Sequence, residues 1–299
     1  MTVDVHTHLF PPVAQCDPAA YAQKHREKHW AMLVAPGGPS LQGSAGVDDL
    51  LRTMDREGIE RVVIQGWYWE NADTVEANNA FIAGLLTAHP DRLSGFAAFL
   101  PTGDPAEVLA QARRWREAGF CGIGELAPSV QGFTLNDPAF RALAAWAEEE
   151  TFPLCFHVNE PVACPRPGWT PDHLQTFLDC ALRYLRLPIL LAHLGGLLPV
   201  FAANRRMRRA ILETRLYFDT AALPLLYDPS ILLAIPPELR ERIVLGSDFP
   251  LKMSTRQPAP SWEPTLTAIR RSGLPEDVVE NILNTCPRTF LSLSSSRPS

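Results

Sequence analysis

Eight short aliphatic runs, most of them roughly 30 residues apart with helix-patterned sequence between, leave few folds open to this chain. They are Thr2 to Phe10 (T-V-D-V-H-T-H-L-F), Arg61 to Gly66, Leu93 to Leu100, Phe120 to Glu125, Pro153 to His157, Pro188 to His193, Leu216 to Asp219 and Ile243 to Asp248. Near-continuous apolar stretches such as Ile189-Leu-Leu-Ala fit a parallel sheet covered by helices. The spacing predicts helices over Val47 to Gly58, Asn71 to His89, Asp104 to Gly119, Asp137 to Thr151 and Pro171 to Arg186. Further helices are expected from about Leu197, over Trp262 to Ser272 and over Pro275 to Leu283. In 299 residues, eight such units match a closed α/β barrel, the (β/α)8 TIM barrel, better than an open doubly wound sheet. No Gly-rich fingerprint follows the first strand, which weakens a dinucleotide fold further. No repeat or linker divides the chain. The expectation is a single domain over 1–299, with 11–46 a long irregular loop after the first strand and 285–299 a tail that frays.

Composition narrows the partners. With 46% hydrophobic and 20% charged residues the chain reads as soluble and globular. A formal charge of −6 argues against a nucleic acid, and no apolar run reaches the length of a membrane span. Met1 leads directly into the first strand, so a cytoplasmic protein without a secretory leader is expected. The six cysteines form no C-x-x-C pair and read as reduced thiols, Cys164 in a Pro-rich loop included.

Strand C-terminal ends converge at one mouth of such a barrel, where function sits. There the sequence places His6 and His8 on the first strand, Glu125 on the fourth, His157 on the fifth, His193 on the sixth and Asp248 on the eighth. His6 and His8, two residues apart on a strand, face the same way and make a half-site for a divalent metal. All six are nitrogen or oxygen ligands suited to such an ion. His25, His29, His89 and His173 fall in loop or helix segments and receive no role, and the run Arg205 to Arg209 reads as an exposed helix face. Trp67, Tyr68 and Trp69 after the second strand are candidates to wall the mouth. Asn159, Arg166 and Lys252 are candidates to pair with an anionic substrate group.

Read together, D-V-H-T-H at the start, G-E-L at Gly124 to Leu126, C-F-H-V-N at Cys155 to Asn159, L-A-H-L-G-G at Leu191 to Gly196 and L-G-S-D-F-P at Leu245 to Pro250 resemble the amidohydrolase superfamily. The H-L-G-G and G-S-D-F-P phrases resemble its amidohydrolase 2 branch, which includes decarboxylases similar to aminocarboxymuconate-semialdehyde decarboxylase. The resemblance spans nearly the whole chain and implies a metal-dependent barrel. The extra β-sandwich of many members is not expected here.

Two site arrangements follow from the resemblance. In the decarboxylase pattern one metal takes His6, His8, His157 and Asp248, with His193 as acid/base. In the pattern of TatD-like nucleases and phosphotriesterase-homology proteins, Glu125 joins two ions, one on His6, His8 and Asp248, the other on His157 and His193. A bridging anion offsets the repulsion of two close cations, which favours the second pattern. Asp248 would then pass a proton from metal-activated water to the leaving group. The expected function is therefore a metal-dependent hydrolase cleaving an amide, ester, lactone or phosphoester of a small molecule. The alternative is a mononuclear non-oxidative decarboxylase of an aromatic or dienoic acid, and a third reading is a barrel that binds without turnover. The expected cofactor is a divalent metal, zinc in the first place, one or two per chain. The expected partner is a small-molecule substrate, with no nucleic acid and no membrane; a homodimer is left open.

Overall fold

The computed structural model describes residues 2–34, 40–163 and 167–295. Eight parallel strands follow one another in sequence order: β1 (Thr2–Thr7), β2 (Ile59–Gln65), β3 (Leu93–Ala97), β4 (Gly122–Leu126), β5 (Leu154–Phe156), β6 (Ile189–Leu191), β7 (Leu216–Asp219) and β8 (Ile243–Val244). The Val5 N–H donates to Leu245 O at 2.9 Å and the Asp248 N–H to His6 O at 2.9 Å, which brings the last strand back to the first and nearly closes the barrel. The expected eighth strand ends early, at Val244: the Leu245 N–H donates to Ile282 O at 3.0 Å, outside the sheet, and side chains take the two donors after it. Gly246 N–H donates to Thr220 Oγ1 at 3.1 Å, and Ser247 N–H to Asp4 Oδ1 at 3.2 Å.

Alternation along the strands sorts the core into two layers. Val5, Val63, Phe96, Cys155, Leu190 and Val244 form the buried filling of the barrel. Their neighbours Val62, Ile64, Leu154, Phe156, Ile189, Leu191 and Phe218 pack in the cluster that includes the surrounding helices. The register of β1 against β2 shifts between Asp4 and Thr7, a local irregularity beside the future site.

Two expectations are corrected. Residues 285–295 are not a loose tail: Cys286–Ser295 is a helix, and Cys286 and Phe290 complete the interior cluster, while 296–299 lie outside the described residues. The Phe290 ring lies 5.0 Å from Tyr217 and 6.2 Å from Phe96. Serine-rich composition masked an i, i+4 apolar pair. Residues 11–46 are likewise not one long loop, because they contain α1 (Pro12–Cys16), α2 (Pro18–His25) and α3 (Lys28–Leu33). Pro12 and Pro18 stand at the first helical positions, where the ring costs no hydrogen bond, and Asp17 caps α2 by accepting from Ala20 N–H at 3.0 Å. In this segment proline starts helices and does not break them. Short helices also occupy the β7–β8 connection at Leu223–Leu226, Ile231–Ala234 and Pro237–Arg240, where none was expected. Among the described residues no helix is long and apolar enough to cross a membrane.

Candidate metal centre

The strand ends bring five of the expected groups within contact of Glu125 or of each other. His6 Nε2 and His8 Nε2 lie 3.1 Å apart. Glu125 Oε2 stands 3.9 Å from the first and 3.8 Å from the second. Asp248 Oδ1 is 3.4 Å from His8 Nε2 and 3.8 Å from His6 Nε2. On the other side, Glu125 Oε1 is 2.9 Å from His157 Nδ1 and 3.8 Å from His193 Nε2, and those two nitrogens are 3.3 Å apart. One carboxylate therefore turns a separate oxygen to each histidine pair.

The tautomers are set from behind. His8 Nδ1 faces Gln65 O at 3.1 Å, His193 Nδ1 faces Ala221 O at 3.1 Å, and His157 Nε2 faces Gly168 O at 2.8 Å. A carbonyl can only accept, so each of these nitrogens carries the proton. His6 Nδ1 donates in the same way to Asp219 Oδ2 at 2.8 Å. In the neutral rings the remaining nitrogens, Nε2 of His6, His8 and His193 and Nδ1 of His157, are bare lone pairs. All four face a Glu125 oxygen, and those of His6 and His8 an Asp248 oxygen as well. Lone pairs meeting lone pairs at such distances is the donor chemistry of a cation site, and these residues fit a divalent metal.

The electrostatics agree. Burial opposes charge on His6, yet Asp219 and Glu125 overcome it and push its pKa up to about 10. Burial alone would raise Glu125, but the charges of His157 and His6 hold it far below the usual carboxylate range. Asp248 is also held down against its burial, by His8 and His6. His157 is raised against burial by Glu125, whereas burial and the charge of His157 lower His193. The carboxylates call for positive charge at the centre of the cluster. Cys155 also approaches His6 and Asp219, but burial, with Glu125 and Asp219, keeps its thiol protonated and a poor ligand.

Asp219 is the functional residue that sequence reasoning passed over. It is the last residue of β7, and the other candidates likewise stand at or shortly beyond the C-terminal ends of their strands, so the same signal was available. Besides holding His6, its Oδ1 accepts the backbone N–H of His193 at 2.9 Å and of Ala221 at 2.9 Å. His193 (φ 56°) and Asp248 (φ 66°) both occupy the left-handed region, a conformation that persists only when neighbours impose it. The glycines beside Glu125 make room for packing: a Cβ on Gly122 would stand 2.5 Å from the Phe96 ring and one on Gly124 would stand 2.5 Å from Cys155 Cβ.

Of the remaining candidates, Trp67 and Tyr68 do line the cluster: their rings lie 5.1 Å from His8 and 4.9 Å from His157. Asn159 Nδ2 also lies 2.9 Å from His157 Nε2, but two N–H donors cannot bond each other, so it is the Gly168 carbonyl that holds this side of the ring. Lys252 donates its backbone N–H to Leu41 O at 2.8 Å and is not among the converging groups. Arg166 and Cys164 lie outside the described residues.

Residues 3–293 match the family model of the amidohydrolases. The chain belongs to the amidohydrolase family. Solved structures share the barrel of this amidohydrolase along its whole length. The 5-carboxyvanillate decarboxylase of Sphingomonas paucimobilis is 16% identical with a TM-score of 0.71, over 97% of this chain and 98% of that one. The dihydroxybenzoic acid decarboxylase of Polaromonas sp. JS666, solved with bound manganese and the inhibitor 2-nitroresorcinol, is 18% identical with a TM-score of 0.69, over 99% and 98%. A probable 2-pyrone-4,6-dicarboxylic acid hydrolase of Acinetobacter baumannii, with citric acid bound, is 17% identical with a TM-score of 0.66, over 97% and 99%. At such identities the likeness establishes the fold. No curated protein matches the amidohydrolase in sequence.

Proposed function

We propose that this amidohydrolase is a metal-dependent hydrolase of a small molecule, cleaving an amide, ester, lactone or phosphoester bond. His6, His8 and Asp248 would hold one divalent cation, His157 and His193 a second, with Glu125 shared between them. The observation that carries this reading is Glu125 itself, whose Oε2 faces the first pair and Oε1 the second. Bound metal supplies Lewis acidity and brings the pKa of water towards neutrality. Asp248, the most exposed of these side chains at 13%, is placed to take a proton from the attacking water and return it to the leaving group. Trp67 and Tyr68 exclude bulk water on one side, and Arg166 is the group we propose for an anionic substituent. Four imidazole nitrogens suit zinc, although the Polaromonas relative holds manganese.

A second reading is a mononuclear non-oxidative decarboxylase, in which His6, His8, His157 and Asp248 hold one metal and His193 delivers a proton to carbon. The names of the similar structures favour it, since decarboxylases outnumber the hydrolase among them. The ligand geometry favours hydrolysis. Elemental analysis separates the two. About two metals per chain, falling to one in Glu125→Ala together with lost esterase, lactonase or phosphoesterase activity, supports the hydrolase. About one metal, unchanged in Glu125→Ala, with carbon dioxide released from aromatic acids, supports the decarboxylase.

A further inference from the structure

His29, on α3, is buried at 6% exposure, yet among the described residues neither its Nδ1 nor its Nε2 has a hydrogen-bond partner. A buried histidine kept for structural reasons uses a ring nitrogen, because an unpaired one costs stability. Here the backbone alone does the structural job. The His29 N–H donates to Glu70 Oε2 at 2.8 Å, and the Glu70 N–H donates in return to Glu27 Oε2 at 2.7 Å. This reciprocal clasp ties the start of α3 to the loop after β2. It leaves the imidazole edge-on to Tyr68, 5.1 Å between rings, and Tyr68 in turn lies 4.9 Å from His157.

The surroundings point to a ligand on the metal side. Tyr68 stacks on Trp67 at 4.3 Å, and Trp67 meets His8, so a flat aromatic wall runs from His29 to both halves of the cluster. Across α3, Leu33 approaches the Gly168 position, and Thr170 beside it carries a buried hydroxyl without a partner among the described residues. Burial and the charge of His157 push the His29 pKa down to about 4, with Glu125 pulling weakly the other way. At neutral pH the ring therefore presents one N–H donor and one lone pair.

We infer that His29 is a substrate-binding residue whose free ring N–H donates to an oxygen of a small planar organic acid lying against Tyr68, with its reacting group towards His157 and Glu125. This rests on the reading of the cluster as a metal site for a small-molecule substrate. The α1–α3 segment thereby contributes to recognition, and the unpaired imidazole is stability given up for binding.

The test is calorimetric titration of 2,6-dihydroxybenzoate into metal-loaded wild type, His29→Phe and His29→Gln, with metal content and melting temperature measured on the same samples. The wild type should bind, and its His29 ring nitrogen resonances should shift on addition of the acid. His29→Phe should bind about tenfold or more weakly, with metal unchanged and a melting temperature equal or higher, because an unpaired polar group has been removed. His29→Gln keeps an N–H donor and should recover part of the affinity. A loaded wild type that does not bind, or a Phe variant that binds equally well, overturns this inference alone. A Phe variant that loses metal and melts more than about 4 °C lower marks His29 as structural and also overturns it. A wild type that takes up no metal overturns the metal-site reading and this inference with it.

Discussion

Asp219 accepts the proton of His6 Nδ1 at 2.8 Å with one oxygen and the backbone N–H of His193 at 2.9 Å with the other. One buried carboxylate thus selects the tautomer of a first-strand histidine and fixes the turn that carries a sixth-strand histidine. The two are far apart in sequence, and this carboxylate at the end of β7 bonds to both.

Asp219→Ala should therefore weaken both halves of the site at once. The expected loss of metal affinity is about 10–100-fold, the usual effect of removing a group that orients a ligating histidine. Competition titration against a chelator checks it. Unchanged affinity would show that His6 and His193 are held adequately by their other neighbours.

The raised pKa of His6 links metal, protons and stability. Its folded value of about 10 lies above the unfolded value of about 6.5. In the metal-free protein its contribution is thus fully present below pH 6.5 and is lost as the pH rises towards 10. A metal must displace this proton, so apparent metal affinity should climb through the same window, by up to about tenfold per pH unit. Thermal melts of chelator-treated and metal-loaded protein between about pH 6.5 and 9.5 read both trends. The metal-free melting temperature should fall with pH while the increment from metal grows, and parallel curves would sink the linkage.

Asp4 ties the strand of His6 to the segment of Asp248. Its Oδ1 accepts from His6 N–H at 2.8 Å and Ser247 N–H at 3.2 Å, and its Oδ2 from Ser247 Oγ at 2.5 Å and Trp262 Nε1 at 2.6 Å. Burial pushes its pKa up to about 6 against the pull of these bonds. Asp4→Ala would leave four buried donors without an acceptor. Urea unfolding should show a loss of about 3 kcal/mol or more. Metal affinity should fall with it, since both residues adjoining the cluster lose their tie. A variant as stable as the wild type would show that water replaces the carboxylate.

Much of this was legible in the residues. The apolar runs located every strand, and a ligand-type residue at the end of five of them marked the mouth, because strand period and strand ends are local properties. Ambiguity arose where one residue type serves two local purposes. Pro12 and Pro18 start helices as readily as they break them, and the glycines at 122 and 124 accommodate Phe96 and Cys155 as readily as a ligand. The apolar pair Cys286 and Phe290 was hidden by the serines around it.

The sequence by itself determined the barrel and the set of donors at its mouth, since both follow from patterns within a few residues of the chain. Only the tertiary structure decided how those donors face one another: Glu125 with one oxygen for each histidine pair, Asp219 behind His6 and His193, and His29 left unpaired over Tyr68. Those relations depend on the lateral contact of strands and helices remote in sequence, which no local pattern encodes.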